Sequence, residues 1–350
     1  MAYLVLSNGR VFEGKRIGAD CQNVGRLVFN TNVIGYVETL TDPSNADNIV
    51  VQTFPLIGNY GVNEADIQSD FCAKGLIIRE LCESPSNFRS EGTLDDFLKK
   101  KGIPALCGID TRELTRLIRD HGELTAVITD TVPEDISLLT STFSPTAALP
   151  SGDICKYSAE NEKKYSVALI DCGAKQSLIS ALTSRGCEVT LVPFDKLQAI
   201  ASMEIDGMVI SDGAADPVLL TENLCQLKSI LGKVPTLGVG LGHQLIALCM
   251  GGALIEMKHS HRGSNQPISG CDTDRTYISA QNHRLAVDAA TLGTLAAELF
   301  KNTNDGTNEG LYYPSLNCIS IQFTPADSGR TSTAFIYDRF IKMMGGESYA

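Results

Sequence analysis

The stretch that decides the fold is Pro235-Thr-Leu-Gly-Val-Gly-Leu-Gly-His-Gln244, a short apolar run that leads into a glycine-rich bend. Its glycine spacing is typical of a nucleophile elbow, where a strand breaks sharply into a helix around an exposed apex residue. Gly238 and Gly242 flank the bend, and Gly240 is its apex. Glycine adopts the positive φ of such an apex at no steric cost, so we expect the turn to persist. Covalent acyl transfer is excluded, because glycine carries no thiol or hydroxyl.

Composition bounds the class of protein. The chain has 350 residues, 43% of them hydrophobic, which is enough for two domains with separate cores. Its net charge of -12 argues against nucleic acid or an anionic membrane as the main partner. It has no apolar run of about 18 residues and no basic start before Ser7, so we expect no membrane span, no signal peptide and a cytoplasmic location. The 11 cysteines are scattered without a Cys-x-x-Cys pair, which predicts reduced thiols.

Residues 1–140 predict an α+β domain. Two strand-like runs meet across Asn8-Gly9, a strong hairpin signal, and Gly75–Arg79 is typical of a further strand. Apolar residues recur at helical spacing in Leu94–Lys101 and Arg112–Arg119. Either Asp110 or Thr111 has the side chain to cap the second helix.

The second half has a different pattern. Residues 141–164 are rich in Ser, Thr, Pro and charged residues and predict a linker. In residues 165–350, buried-type strands alternate with helices, which predicts an open α/β domain with a mainly parallel sheet. The runs are Tyr165–Asp171, Glu188–Pro193, Gly207–Ser211 and Thr236–Val239. Ligands bind beyond the carboxyl ends of such strands, where Ser211–Pro217 and the Gly240 turn both fall.

The turn, the Ser211–Pro217 loop and Ala280-Gln-Asn-His283 together resemble a class I glutamine amidotransferase domain. With the first half included, the chain resembles the small subunit of carbamoyl-phosphate synthase. The amino-terminal stretches that carry this resemblance are Phe29–Ser44, Thr53–Gly61, Gly75–Arg79 and Gly108–Arg116. The resemblance implies ammonia release from glutamine by a Cys-His-Glu triad, and a large partner subunit that makes carbamoyl phosphate from ATP and bicarbonate. It leaves arginine and pyrimidine biosynthesis both open.

The triad of that family is absent here. Its elbow has the pattern Gly-x-Cys-x-Gly-His-Gln, which places the cysteine position at Gly240. Its later pattern, Gln-Phe/Tyr-His-Pro-Glu, places the base at Thr324 and the acid at Ala326. A thiolate nucleophile, a base to form it and a carboxylate to orient the base act as a unit, and losing one costs on the order of a thousandfold in rate. We therefore expect no glutaminase activity.

The glutamine-binding positions implied by the resemblance are better kept than the triad positions. Positions that bind glutamine in the family correspond to Ser44, Gly213, Ala215, Leu241, Gln244, Asn282, Arg284 and Leu285. Three are altered: Ala215 replaces a glycine of the family's loop, where a β-carbon is expected to disturb the backbone near the ligand, and Arg284-Leu285 replaces a small residue followed by an aromatic one. Arginine at the old pocket favours an anionic ligand over glutamine.

Nucleotide and metal sites do not fit the sequence. The three glycines lack both the third glycine of a dinucleotide fingerprint and the Gly-Lys-Ser/Thr of a P-loop. His259 and His261 lie in Met257–Pro267, which the resemblance implies is a loop, and no third ligand at a convincing spacing accompanies them, so no metal or cofactor is predicted. His243 and His283 are expected to hydrogen-bond within the scaffold. Cys249 is about 13 Å along the helix from the apex, too far to replace the missing thiol.

Three functions remain. The first is a non-catalytic small subunit, a pseudoenzyme in a heteromer that stabilises or regulates an ammonia-using large subunit. The charged helices Leu94–Lys101 and Arg112–Arg119 are then either a docking surface or simply a solvated face. The second is a conventional glutaminase subunit, and the third is a ligand-binding module that reuses the pocket.

Overall fold

The computed structural model describes residues 1–70, 72–122, 124–133, 135–136, 143, 149–271, 273, 275–326 and 332–347. The chain divides into two compact units, Met1–Thr146 and Ala147–Ala350. The division falls inside the segment 141–164 that its composition predicts as a linker. Residues 155–157 of that segment are not free chain, because they pair as a strand with the second unit's sheet.

The first unit is built around a barrel. Its strands are β1 (Ala2–Leu6), β2 (Val11–Gly18), β3 (Asn23–Asn30), β4 (Asn48–Gln52), β5 (Leu56–Ile57), β6 (Gly75–Ile77), β7 (Glu80–Leu81), β8 (Pro104–Cys107) and β9 (Leu124–Thr129). Its helices are α1 (Tyr36–Leu40), α2 (Leu94–Lys101) and α3 (Thr111–His121). Among these described strands, seven close in the order β1-β2-β8-β6-β4-β3-β9, while β5 and β7 form a separate pair.

Local sequence signals explain several elements of this unit. The predicted hairpin is confirmed, because β1 and β2 pair antiparallel across Asn8-Gly9. Helix α3 begins where the Asp110 carboxylate accepts hydrogen bonds from the backbone N–H groups of Arg112 and Glu113 at 3.1 and 3.0 Å. Two of the four unpaired N–H groups at the helix start are thereby satisfied.

The second unit has a long mixed sheet. Its strands are β10 (Cys155–Tyr157), β11 (Tyr165–Asp171), β12 (Cys187–Pro193), β13 (Gly207–Ile210), β14 (Thr236–Val239), β15 (Ala253–Gly270), β16 (Thr276–Asp288), β17 (Ala297–Asn302), β18 (Asn308–Tyr313) and β19 (Cys318–Ile321). Its helices are α4 (Gln176–Thr183), α5 (Leu224–Ile230), α6 (Leu241–Cys249) and α7 (Phe335–Met344). The described strands are ordered β10-β12-β11-β13-β14-β19-β18-β17-β15-β16.

The centre of this sheet is parallel and its flanks are antiparallel. Strands β12, β11, β13, β14 and β19 run parallel. From β19 through β18, β17, β15 and β16 each neighbour is antiparallel. The predicted α/β class holds, with the parallel strands confined to the part that carries the Gly240 turn.

Apolar side chains cover both faces of the parallel strands. On β11, Ala168 and Ile170 belong to one buried cluster, and Val167 and Leu169 belong to the other. Side chains alternate between the faces of a strand, so the two clusters lie on opposite sides of the sheet. No described helix is long and apolar enough to cross a membrane.

Candidate functional site at the carboxyl ends of the parallel strands

The residues of the candidate site follow the carboxyl ends of four neighbouring parallel strands. Lys175 follows β11, Asp212 follows β13, Gly240 follows β14, and Thr324 follows β19. The carboxyl ends of parallel strands share one edge of the sheet, so these residues lie close together in space although they are far apart in sequence.

Gly240 has the geometry of an elbow apex. Its φ is 56° and its ψ is -110°, and α6 begins at the next residue. Its N–H donates to the carbonyl oxygen of Ile321 at 2.8 Å, which fixes the turn against β19. A β-carbon at Gly240 would overlap the Asp212 carboxylate, and one at Gly242 would overlap the carbonyl of Ile210. The predicted turn is therefore confirmed, and glycine is the residue that fits its apex.

The Asp212 carboxylate fills the space beside this apex. Its Oδ1 accepts hydrogen bonds from the backbone N–H of Gly213 at 2.9 Å and of Leu241 at 3.0 Å. Leu241 is the first residue of α6, where N–H groups lack helical partners and the helix dipole favours negative charge. In an acyl-transfer elbow, the N–H after the nucleophile is one donor of the oxyanion hole. A carboxylate of the chain itself occupies that donor here.

Lys175 balances the charge of Asp212. It is 9% exposed, and its Nζ lies 3.6 Å from Asp212 Oδ2. The same ammonium donates to the Oγ1 of Thr324 at 3.3 Å. A buried charge is costly unless it is paired and hydrogen-bonded, and this lysine meets both conditions. The Lys175 ammonium thus links Asp212, beside the apex, to Thr324 at the base position.

The base and acid positions carry no acid–base chemistry. Thr324 is held by backbone pairing with Ala280, to whose carbonyl its N–H donates at 3.0 Å. Ala326 contributes only backbone groups, and its N–H donates to the Thr333 hydroxyl at 3.0 Å. An uncharged hydroxyl and a methyl group cannot accept a proton from a thiol near neutral pH.

Two predicted glutamine contacts are engaged within the protein. Gln244 is 6% exposed, and its Nε2 donates to the carbonyl of Leu285 at 3.1 Å and to Oε1 of Gln322 at 2.9 Å. The amide oxygen of Asn282 accepts a hydrogen bond from the Arg262 guanidinium. A ligand would have to displace these bonds to use the Nε2 group of Gln244 or the amide oxygen of Asn282.

Arg284 is paired with two carboxylates. Its guanidinium lies 2.5 Å from Asp216 in the loop after β13 and 3.2 Å from Glu256 on β15. The expectation that Arg284 favours an anionic ligand therefore loses its basis, because its charge is already matched. Ala215 differs from expectation as well: it is 4% exposed and its methyl group packs into the apolar core.

Ser44 belongs to the first unit, where its hydroxyl donates to Asp42 Oδ1 at 2.6 Å. Its part in a substrate site stays a prediction.

Two buried thiols of the second unit, Cys172 and Cys249, have raised pKa values. Burial, helped by the neighbouring Asp171 and Asp212 carboxylates, raises the pKa of Cys172 well above its usual value. Burial also raises the pKa of Cys249 to about 12, and its Sγ contacts the Leu224 carbonyl at 3.5 Å. Thiols with raised pKa values stay protonated at neutral pH and are poor nucleophiles.

The predictions for His243 and His283 are confirmed, and the prediction for His261 is wrong. His243 hydrogen-bonds the Ser320 hydroxyl at 2.7 Å, and His283 the Leu285 carbonyl at 2.9 Å, so both scaffold roles are confirmed. His261 is not in a loop: the whole of Met257–Pro267 lies in β15, and His261 is 6% exposed. The mixed polar composition of that stretch concealed a strand, because its side chains form a buried polar network rather than an apolar face.

Sequence reasoning missed three residues. Lys175 and Asp212 were not singled out, although both follow strands of the predicted parallel sheet and so had to lie near the turn. Glu309 contacts His261 but is distant in sequence, and no local pattern indicates that pairing.

With this geometry established, two regions of the chain match models of known families. Residues 4–128 match the model described as carbamoyl-phosphate synthase small chain, CPSase domain. Residues 168–343 match the model described as glutamine amidotransferase class-I. The parallel strands and the elbow lie in the second match, which defines the class of this half of the molecule.

Similar curated proteins extend over nearly the full length. The carbamoyl phosphate synthase small chain of Staphylococcus haemolyticus is 39% identical over 98% of this chain and 95% of its own. That of Archaeoglobus fulgidus is 38% identical over 98% of both. The pyrimidine-specific small chain of Bacillus subtilis is 40% identical over 97% of this chain and 95% of its own. The chain belongs to the carbamoyl phosphate synthase small chain family.

Proposed function

We propose that this chain has no glutaminase activity of its own and serves as a non-catalytic small chain on a carbamoyl phosphate synthase large chain that uses free ammonia. The proposal joins two features: the amino-terminal region of the family is kept, and the groups needed for amide hydrolysis are not.

The observation that carries the proposal is the position of the Asp212 carboxylate. Oxyanion stabilisation needs donors about 2.7–3.1 Å from the oxygen that becomes negative. The N–H groups of Gly213 and Leu241 are at that distance from Asp212 Oδ1 instead. A substrate oxygen acquiring negative charge there would meet a carboxylate, so the residual stabilisation that survives loss of a triad is opposed as well.

The residues at the nucleophile and base positions also support the absence of glutaminase activity. Gly240 offers no nucleophile, and the Lys175 ammonium next to Thr324, ion-paired with Asp212, has no lone pair with which to accept a proton. A conventional glutaminase would need a nucleophile, a base and an open oxyanion site, and this turn supplies none of the three.

Docking on a large chain is supported by the first unit. The family model for the small-chain CPSase domain covers residues 4–128, and the relatives are named as small chains. On α2, the first two lysines each lie within 4 Å of a carboxylate, Lys99 with Asp95 and Lys100 with Glu64. These exposed ion pairs are compatible with both a docking face and a solvated face, so the support comes from the family match.

The experiment uses the purified full chain with a candidate large chain and an active small chain of a relative as control. We expect co-purification, carbamoyl phosphate formation with ammonium chloride, and no glutamate release above the large chain alone. The active control small chain must release glutamate under the same conditions. Glutamine-dependent synthesis by this chain at the control rate, or failure to associate at micromolar concentration, overturns the proposal.

A further inference from the structure

A second buried polar cluster lies in the antiparallel part of the sheet. It joins His261 on β15, His283 on β16 and Glu309 on β18, which are 6%, 7% and 0% exposed. One ligand atom from each lies within 4.8 Å of the others. The family assignment and the site at Gly240 give this cluster no role.

The ring nitrogens of both histidines face oxygen atoms. His261 Nε2 lies 2.9 Å from Asp305 Oδ2, and its Nδ1 lies 3.1 Å from Glu309 Oε1. His283 Nδ1 lies 2.9 Å from the carbonyl oxygen of Leu285, and its Nε2 lies 3.2 Å from Gln281 Oε1. A neutral imidazole has only one N–H, so a ring whose two nitrogens both face oxygen needs either a second proton or a cation at its lone pair.

The neighbours indicate which nitrogen of His261 carries the lone pair. The amide Nδ2 of Asn302 lies 3.2 Å from His261 Nδ1 and is a donor, so Nδ1 is the acceptor. His261 Nε2–H then donates to Asp305, and its Nδ1 lone pair points towards Glu309. In His283, Nδ1–H donates to the Leu285 carbonyl and leaves the lone pair on Nε2, which is 3.7 Å from Glu309 Oε1.

This is the hydrogen-bonding pattern of histidines that bind a metal. A metal-binding histidine almost always donates its other N–H to a carboxylate or a backbone carbonyl, which fixes the ring and its tautomer. Asp305 does so for His261, and the Leu285 carbonyl does so for His283. Bond lengths of about 2.0–2.2 Å in tetrahedral geometry place ligand atoms about 3.4 Å apart. The two distances to Glu309 Oε1, 3.1 and 3.7 Å, bracket that value.

Two buried atoms near the cluster add support. Within the described chain, Glu309 Oε2 and His243 Nε2 have no hydrogen-bond partner. A buried polar atom without a partner is costly, which favours a bound ion at the Glu309 carboxylate.

We propose that His261, His283 and Glu309 form a binding site for one divalent transition metal, with Zn²⁺ as the preferred ion. Two imidazoles and one carboxylate are donors that suit Zn²⁺ better than Ca²⁺ or Mg²⁺. The site is closed and buried, so its role is structural: the ion ties β15, β16 and β18 together. This proposal is independent of whether the chain hydrolyses glutamine.

The test is a metal titration of the full chain after removal of metals with a chelator. Zn²⁺ is added in competition with a chromophoric chelator, and Co²⁺ is added separately to report the ligand field by visible absorption. We expect one ion per chain and a Co²⁺ spectrum of a low-coordinate site. His261→Asn and Glu309→Gln should each weaken Zn²⁺ binding at least 100-fold, and Asp305→Asn about 10- to 100-fold.

The matched control is His259→Asn, since His259 is two residues away on the same strand and exposed. It should bind Zn²⁺ as the wild type does. The proposal is overturned if the wild-type protein takes up no stoichiometric Zn²⁺ or Co²⁺. It is also overturned if binding is lost in His259→Asn but kept in His261→Asn. Because loss of a buried ligand can impair folding, ¹⁵N NMR of the wild-type histidines gives a second readout. Resonances of His261 Nδ1 and His283 Nε2 that do not move on Zn²⁺ addition also overturn it.

Discussion

The carboxylate of Asp212 accepts a hydrogen bond from the backbone N–H of Leu241 at 3.0 Å, across the apex of the strand-to-helix turn. A side chain from the neighbouring strand end thus occupies the helix N-terminus that would face a reacting carbonyl. Glycine at position 240 leaves the room this contact needs. The residue at the apex and the carboxylate of the loop after β13 are therefore coupled through one contact.

The first prediction concerns this coupling. Gly240→Ala should destabilise the protein by about 2–3 kcal/mol, because the new β-carbon overlaps Asp212 and the positive φ is strained. Gly251→Ala is the control, since Gly251 has a φ of 86° but nothing within 4 Å of its β-carbon position. It should cost only the backbone strain, about 1 kcal/mol. Urea unfolding measures both.

A double-variant cycle separates the backbone strain at position 240 from the overlap of its β-carbon with Asp212. Asp212→Gly combined with Gly240→Ala should cost less than the sum of the two single changes, since the overlap is then relieved. Additive costs would mean that Asp212 does not occupy the space beside position 240.

The second prediction concerns reversion of the triad. Gly240→Cys alone should release no glutamate from glutamine, since Thr324 cannot act as an imidazole base. Adding Thr324→His and Ala326→Glu supplies the missing groups but leaves the Asp212 carboxylate on the N–H donors. We expect measurable hydrolysis only when Asp212→Asn is added as well. A steady-state glutamate assay checks this order, and activity from the single change would show that the base has been misplaced.

The third prediction is a pH dependence set by His243. Burial lowers the pKa of His243 to about 3, so the unfolded chain binds more protons than the folded chain between that value and about 6.5. Stability should therefore fall as the pH falls through this range, by about 2 kcal/mol between pH 7 and pH 5 for this group. Unfolding of wild type and His243→Gln is compared at both pH values with chelator present. An equal pH dependence in the two proteins would contradict the neutral, buried state of His243.

The fourth prediction concerns glutamine itself. We expect no heat of binding and no Tm shift with millimolar L-glutamine, because the amide of Gln244 is held by Leu285 and Gln322, and Arg284 bridges Asp216 and Glu256. Arg284→Gly removes the bridge and should cost about 1 kcal/mol of stability without restoring binding. Saturable binding by the wild type would show that these internal bonds yield to the ligand.

The sequence predicted the fold where the signal was local. The hairpin at Asn8-Gly9 and the strand Thr236–Val239 follow from neighbouring residues and are present, and of the two candidate caps Asp110 and Thr111 the structure uses Asp110. The closed barrel was not predicted, because its order depends on pairing between strands that are far apart in the chain. Strand β15 was missed for a related reason, since much of Met257–Pro267 is polar and the strand is defined by its pairing with β16 and β17.

In the candidate site, too, features set by neighbouring residues were predictable and features set by long-range pairing were not. The turn at Gly240 was predicted from its own spacing, whereas the contacts of Asp212 and Lys175 depend on the order of β11, β13 and β14 in the sheet. The pairing of Arg284 with Asp216 was likewise beyond local sequence, and it reverses the inference drawn from the arginine alone.

The most direct test of the central claim is glutamate release measured in the assembled complex of this chain with a large chain, alongside carbamoyl phosphate formation from ammonia. The account predicts ammonia-dependent synthesis with glutamate release no greater than that of the large chain alone. The opposite result is glutamate release that accompanies glutamine-dependent carbamoyl phosphate formation at the rate of an active small chain. That result would contradict the claim that this chain has no glutaminase activity.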